Sequence, residues 1–146
     1  MSGKRRAEFS SFLVALVELT SALGGGHMGI LEIKEISQVV AERLLYLDGE
    51  PGTRIRVLVG RPQTLPGPSN NNVVLCPYQI LGVGDEKVRS AGGVDEIQAL
   101  QLAMEMIGSE LYFKLNRKYG GKLRWEAGKQ GDLGFPVPPG LSPSAQ

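Results

Sequence analysis

The sequence contains few of the residues that most often carry catalysis at neutral pH. It has one histidine, His27, and one cysteine, Cys76, in 146 residues. A single cysteine excludes an intramolecular disulfide and any zinc site built from several cysteines. Cys76 lies in an apolar run, so we expect a small buried hydrophobe rather than half of a Cys–His pair. We predict no catalytic residue, metal or cofactor, and an enzyme with an unrecognised site stays open.

The chain also lacks an excess of one charge and a long uninterrupted apolar run. Its 16 basic and 15 acidic residues leave a formal net charge of +1, so no overall field favours nucleic acid or an anionic membrane. The apolar stretch from Phe9 to Leu23 contains Glu18 and is too short to span a bilayer, and no clear signal-cleavage motif follows it. We therefore predict a cytoplasmic protein with no membrane partner.

The N-terminal stretch has the pattern of an amphipathic helix. Its apolar residues recur at steps of three and four, while Ser10, Ser11 and Glu18 lie away from the main stripe. We predict that the stripe binds a partner surface. It consists of Phe9, Phe12, Leu13, Leu16, Leu19 and Leu23.

The segment GGGHM follows this stretch and resembles a joint between two reading frames. Three glycines form a flexible tether, and His-Met leads into MGILEIKEI. We interpret residues 1–23 as a fused partner peptide and residues 24–27 as a Gly-rich linker; a native N-terminal helix with a glycine hinge is the alternative. Residues 28–138 then form a single α+β domain, and residues 139–146 form a disordered tail.

The first half of this domain shows strand patterns separated by turn residues. Alternating apolar residues and the DGEPG turn predict an antiparallel hairpin, whereas the Pro-, Gly- and Asn-rich segment Pro62–Asn72 predicts a loop. Pro77 predicts an edge position or a bulge, because proline cannot donate to the ladder. The predicted strands are Val39–Leu47, Arg54–Val59, Val73–Leu81, Glu86–Ser90 and a short last strand within Lys122–Trp125.

A long helix is predicted from Val94 to Tyr119, bounded by glycine pairs. Its predicted buried stripe is Ile97, Leu100, Met104, Ile107, Leu111 and Leu115. The order β-β-β-β-α-β with short connections predicts an α+β fold: a mainly antiparallel sheet of four to five strands with one long helix on one face, plus the separate N-terminal helix.

Two segments resemble a family of small bacterial proteins that is known only as a domain of unknown function. These segments are GVGDEKVRSAGGVDEIQALQLAMEMIG and LRWEAGKQGDLGFP, and the resemblance covers roughly residues 39–138. It implies a bacterial, cytoplasmic protein and brings no activity and no site residues. The GDLGFP motif itself suggests either a clasp that packs on the domain or part of a groove, and we favour the clasp.

One helix covers one face of the predicted sheet and leaves the other face and the edges available. We therefore predict a non-catalytic protein-interaction domain that binds an amphipathic helix of a partner protein, as a chaperone, an immunity protein or an adaptor does. A homodimer or a domain swap through the glycine tether is also open. The alternative is nucleic-acid binding by a basic and aromatic cluster, although helix C-termini also attract basic residues for the dipole alone. This cluster comprises Tyr112, Lys114, Arg117, Lys118, Tyr119, Arg124 and Trp125.

Overall fold

The computed structural model of the protein describes residues 31–129 and 131–137. From Ile33 onward these residues belong to one compact unit. The predicted amphipathic helix with its stripe from Phe9 to Leu23, the linker and the predicted tail lie outside the described residues.

Within the described residues, six strands form one sheet in which every pairing is antiparallel. The predicted α+β class is confirmed, but the sheet has six strands rather than four or five. The strands are β1 Val39–Leu47, β2 Arg54–Gly60, β3 Gln63–Pro66, β4 Asn72–Leu81, β5 Arg89–Gly93 and β6 Leu123–Arg124.

Strand β4 lies in the interior of the sheet and pairs with three others. β2 pairs with Tyr78–Leu81 and β3 pairs with Asn72–Leu75, so β3 continues along the same edge of β4. β5 pairs with Val74–Tyr78, which overlaps both, and therefore takes the opposite edge. β1 pairs with β2, and β6 pairs with the end of β1. The order across the sheet is therefore β5, β4, β2, β1 and β6, and β3 lies beside β4 in line with β2.

The predicted loop Pro62–Asn72 is wrong in part, because it contains β3 and a 3-10 turn at Pro68–Asn70. Its composition is typical of a loop, but pairing with the strongly apolar β4 holds β3 extended. Val59 of β2 pairs with Tyr78, and Gln63 of β3 pairs with Leu75. Three residues thus lie between the two pairs on the β2–β3 side, but only Cys76 and Pro77 lie between them on β4. This mismatch is a bulge, so Pro77 lies at a bulge, which is one of the two positions that the sequence predicts, and not at an edge.

The fourth predicted strand, Glu86–Ser90, is displaced in the structure, where β5 spans Arg89–Gly93. Gly92 and Gly93, predicted as helix breakers, belong to this strand. A Cβ atom at Gly93 would lie 2.5 Å from the backbone nitrogen of Ala99. Glycine at this position therefore lets the strand contact the following helix directly.

The helical region runs almost as predicted but is not uniform. Helix α1 spans Glu96–Ser109, a π-helical segment follows over Glu110–Leu115, and a one-turn helix, α2, spans Asn116–Lys118. The carboxylate of Asp95 caps α1 by accepting a 2.7 Å hydrogen bond from the backbone N–H of Gln98. The Gln98 side chain in turn accepts from the backbone N–H of Val94 at 2.8 Å.

The buried face of α1 differs from the predicted stripe at its N-terminal end. Ile97 is 70% exposed and Leu100 is 38% exposed, whereas Ala99 and Ala103 are fully buried. The prediction fails here because it placed the largest apolar residues inward, and the close approach to Gly93 leaves room only for alanine. Farther along, the predicted residues Ile107, Leu111 and Leu115 are buried.

The core lies between α1, its π-helical continuation and the inner face of the sheet. The strand residues of this core are Leu45, Leu47, Ile55, Val57, Val59, Val74, Cys76, Tyr78, Ile80, Ala91 and Leu123. In the described part of the chain, no helix is long and apolar enough to cross a membrane.

We expect Asp95→Ala to lower the free energy of unfolding by about 1 kcal/mol, because the substitution removes the N-cap acceptor of α1. Urea unfolding followed by far-UV circular dichroism measures the change. Asp95→Asn, which retains a capping oxygen, should cost less than half as much, and Glu96→Ala is the matched control outside the cap. Equal losses in all three variants would contradict a capping role.

Candidate functional site

The face of the sheet opposite α1, the outer face, carries exposed apolar and basic side chains along β1. The pairing register places Leu44 opposite Arg56, and Tyr46 opposite both Arg54 and Arg124. Direct cross-strand neighbours lie on the same face of a sheet. Leu44 is 53% exposed and Tyr46 is 43% exposed. We call these five residues the outer patch.

One part of the outer face is covered by a residue that precedes β1, and another part is exposed. Near the start of the sheet, Ile36 packs over Gly60 and Pro77, because a Cβ atom added to Gly60 would lie 2.8 Å from the Ile36 side chain and 2.7 Å from the Pro77 ring. Val39 and Val40, at the start of β1, are about half exposed. Along β1, Glu42 lies between these valines and the outer patch, opposite Leu58, and binds Arg56.

The three arginines of the outer patch have different electrostatic partners. Arg56 donates to both carboxylate oxygens of Glu42, at 2.6 and 3.3 Å, and this hydrogen bonding lowers the pKa of Glu42. Arg124 donates to the carbonyls of Gly121 and Leu123 at 2.6 and 2.8 Å and has a longer ion pair of 3.6 Å with Asp48. Arg54 pairs with no carboxylate among residues 31–129 and 131–137. Within the described residues, Arg56 and Arg124 are therefore held by acceptors of the domain, and Arg54 has no carboxylate partner.

A cleft of about 360 Å³ adjoins the patch at the β6 edge of the sheet. It is lined by Tyr46, Gly121, Arg124, Trp125, Glu126, Gly128, Gly131 and Asp132. A second cleft of about 380 Å³ lies near the start of β1 and β3, and its lining is mainly polar. It is lined by Ser37, Gln38, Arg61, Pro62, Gln63, Thr64 and Glu96. Among the described residues, no group of three or more His, Cys, Asp or Glu side chains is placed to hold a metal ion.

The GDLGFP segment packs against the inner side of β1 and holds Arg43. The Arg43 guanidinium lies 4.2 Å from the ring centre of Trp125 and 4.8 Å from that of Phe135, and it donates to the carbonyl of Gly134. Leu133 is fully buried. These contacts agree with the clasp interpretation, because the segment closes the core instead of forming a binding groove.

A family model described as a domain of unknown function, DUF6968, matches residues 41–137. The chain belongs to this family. The match contains the outer patch and the clasp, and it leaves out residues 1–40. Comparison of the chain with curated proteins and with solved structures gives no match. The resemblance to a family of unknown function is confirmed.

The basic and aromatic cluster predicted for nucleic acids is partly committed to internal contacts of the DUF6968 domain. Tyr112 is buried, and its hydroxyl accepts from the backbone N–H of Leu133 at 2.8 Å and donates to Asp132 at 3.1 Å. Trp125 stacks on Arg43. Two of the three aromatic rings are therefore occupied by protein groups and do not offer free faces to bases.

The DUF6968 domain has one cluster of ionisable groups on its inner side, where the π-helical segment begins. Arg89 contacts Asp85 at 2.8 Å and Glu110 at 3.6 Å, and Lys114 lies 3.8 Å from Glu110. Burial raises the pKa of Tyr78, and the nearby negative charge of Glu110 adds to the rise. Two cations face two carboxylates, so the cluster is balanced. π-helical segments often mark functional sites, but these groups satisfy one another.

Cys76 is buried as the sequence predicts, and burial raises the pKa of its thiol to about 11. The thiolate that a nucleophile needs is therefore scarce at neutral pH.

Sequence reasoning placed the candidate binding residues on the N-terminal stripe and did not single out the outer patch. A signal was present: VVAERLLYL carries apolar residues at both alternating sets of positions, Leu45 and Leu47 inward and Leu44 and Tyr46 outward. A strand with one solvated face usually alternates apolar and polar residues. The excess of apolar residues in β1 therefore pointed to a second apolar surface.

We expect Tyr112→Phe to lower the free energy of unfolding by about 1 kcal/mol, since the buried N–H of Leu133 loses its acceptor. Hydrogen exchange at the Leu133 and Gly134 amides should become faster, whereas exchange in β2 should not change. Tyr119→Phe is the matched control. Unaltered exchange at Leu133 would show that the hydroxyl does not hold the clasp.

The Asp85–Arg89 pair should make stability depend on acid pH. Hydrogen bonds from Arg89 and from the Lys87 amide hold the pKa of Asp85 well below its usual range. The pair therefore stabilises the fold above the unfolded pKa of about 4, and the contribution is lost as the pH falls toward the folded value. In Asp85→Asn, the unfolding midpoint should therefore fall less steeply between pH 5 and about pH 2 than it does in the unaltered protein. The same pH slope with and without the carboxylate would contradict this.

Proposed function

We propose that this DUF6968 domain is a non-catalytic protein-interaction domain that binds an amphipathic helix of a partner protein on the outer patch. The observation that supports the proposal is the exposure of Leu44 and Tyr46 on the sheet face opposite α1. An amphipathic helix lying along β1 would bury its apolar stripe against these side chains, with arginines at the margin. Chaperones, immunity proteins and adaptors are the classes of protein that use such binding.

The N-terminal stretch supplies a natural probe for this site. Its apolar stripe from Phe9 to Leu23 has the spacing of a helix that needs an apolar surface. A glycine tether raises the effective concentration of such a segment to roughly millimolar, which suits a weak complex. The same tether would allow a domain swap or a homodimer in place of binding within one chain.

A second group of exposed apolar residues competes for this role. Ile97 and Leu100 are exposed in the N-terminal half of α1, and Val94 is exposed just before the helix. They form a convex ridge on one helix, whereas the outer patch spans three paired strands and presents a broad surface. A broad surface can contact a helix along several turns, and for this reason we place the partner on the outer patch.

We also propose a bacterial, cytoplasmic setting for the protein, which is what the resemblance to small bacterial proteins implies. A protein that uses a weak, reversible helix-binding site does not need disulfides, and the single cysteine of the chain suits a reducing compartment.

The proposal predicts that a peptide of residues 1–23 binds to the chain of residues 28–146 with a Kd of about 10 µM, measured by calorimetry. Leu44→Asp together with Tyr46→Asp should abolish binding, because carboxylates replace the apolar contacts. Ile97→Asp is the matched control on the opposite side of the domain and should bind normally. Circular dichroism and thermal unfolding of each variant check that the fold is retained.

In the full chain, Phe12→Asp with Leu16→Asp should lower the thermal midpoint if the N-terminal segment docks within the chain. Absence of peptide binding, together with an unchanged midpoint in this variant, would overturn the proposal. Loss of binding in Ile97→Asp but not in the β1 variant would move the site to α1.

A further inference from the structure

The charges around Tyr46 indicate what kind of partner segment the outer patch accepts. Resting on the proposed function, we propose that this segment is acidic, with carboxylates beside its apolar stripe that pair with Arg54. The inference commits to a protein partner of stated chemistry: an amphipathic segment with an acidic margin.

Three side chains form a row across the sheet. Tyr46 in β1 is the direct cross-strand neighbour of Arg54 in β2 and of Arg124 in β6. Adjacent strands lie about 4.8 Å apart, so the two arginines flank the tyrosine ring with their Cα atoms roughly 10 Å from each other. A helix that places an apolar side chain on the ring therefore has a guanidinium group on each side of it.

The existing ion pairs decide which arginines are available. Arg56 is held by Glu42 at 2.6 Å through two hydrogen bonds. Arg54 is exposed and has no carboxylate partner in the described part of the chain. The Arg124 guanidinium donates to the carbonyls of Gly121 and Leu123 at 2.6 and 2.8 Å and lies 3.6 Å from Asp48. Guanidinium groups form strong, often bidentate hydrogen bonds with carboxylates. An incoming carboxylate would therefore pair with Arg54, because Arg56 and Arg124 already have acceptors within the domain.

The surrounding carboxylates orient the partner. Glu126 and Asp132 line the cleft that Arg124 borders, and they disfavour further negative charge on that side. Asp132 already accepts hydrogen bonds from the Gly134 amide and the Tyr112 hydroxyl. The strongest pairing is consequently with Arg54, so the acidic margin of the partner faces β2.

Arginine and tyrosine side chains also occur where proteins bind single-stranded RNA. The outer patch offers one aromatic ring, however, and its next neighbour along β1 on this face is the aliphatic Leu44. These features favour an acidic protein segment over a nucleic acid.

The test uses the full chain with Phe12→Asp and Leu16→Asp, so that its own N-terminal stripe does not compete for the surface. Two fluorescent helical peptides share one length and one leucine stripe and carry either Glu or Lys at the flanking positions. We expect the Glu peptide to bind about tenfold more tightly than the Lys peptide by fluorescence anisotropy. Raising the salt concentration should shrink this preference.

Two further variants locate the effect. Arg54→Glu should reverse the preference between the peptides, and Arg54→Gln should abolish most of it. Arg117→Glu, which changes an exposed basic residue at the end of the helical region, is the matched charge control and should leave the preference unchanged. Thermal unfolding confirms that each variant is folded.

The outcomes separate the two proposals. Equal binding of both peptides, or tighter binding of the Lys peptide, overturns the acidic partner and leaves helix binding standing. Failure of both peptides overturns helix binding itself and the acidic partner with it. Tight binding of a single-stranded RNA probe while neither peptide binds would assign the patch to nucleic acid and overturn both.

Discussion

The contact between α1 and β5 is the constraint on which the rest of the structure depends. Gly93 has no side chain, and Ala99 and Ala103 have the smallest ones that still cover apolar surface, so the helix lies directly on the strand that precedes it. Close packing of this kind leaves no space for a larger residue without displacing backbone. It positions the helix over β4 and β5 and thereby determines which parts of the sheet need another cover.

The clasp supplies that cover on the inner face. Beyond the reach of α1, β1 is closed by Leu133 and Phe135, and Arg43 joins β1 to this segment by stacking on Trp125 and Phe135. Gly108 links the two covers, because a Cβ atom there would lie 2.0 Å from the carbonyl oxygen of Pro136. The inner face thus has two covers, while Leu44 and Tyr46 on the outer face stay exposed. This asymmetry is the physical basis of the proposed binding function.

The sequence predicts best those strands and helices whose own residues have a strong strand or helix pattern. β1 was predicted with its observed bounds, β2 and β4 within one residue, and the helical region within two residues at its start. β3 and β5 were missed or displaced, since QTLP and RSAGG contain few strand-forming residues and are held extended by pairing with β4. Such pairing depends on residues distant in sequence and leaves no local pattern. The burial of Ala99 instead of Ile97 also depends on a contact that the local sequence does not show. The close approach of α1 to Gly93 in β5 leaves room for alanine on the buried face of the helix.

The candidate site was predictable only in outline. That one sheet face would remain open followed from the count of helices, but the row formed by Arg54, Tyr46 and Arg124 depends on the strand order, which places β6 beside β1. Two residues of β6 are too few to predict such a pairing. Likewise, the stacking of Arg43 on Trp125 and Phe135 joins residues that are distant in sequence, and the hydrogen bond between Arg43 and Gly134 spans 91 positions.

The central claim is that a helical segment binds to the outer patch and not to α1. Methyl and aromatic NMR of the full chain carrying Phe12→Asp and Leu16→Asp, titrated with the peptide of residues 1–23, tests it most directly. The account predicts saturable shifts of the Leu44 methyl and Tyr46 ring signals while the exposed Leu100 on α1 stays constant. Shifts centred on Leu100 and Ile97, or none at all, would contradict it.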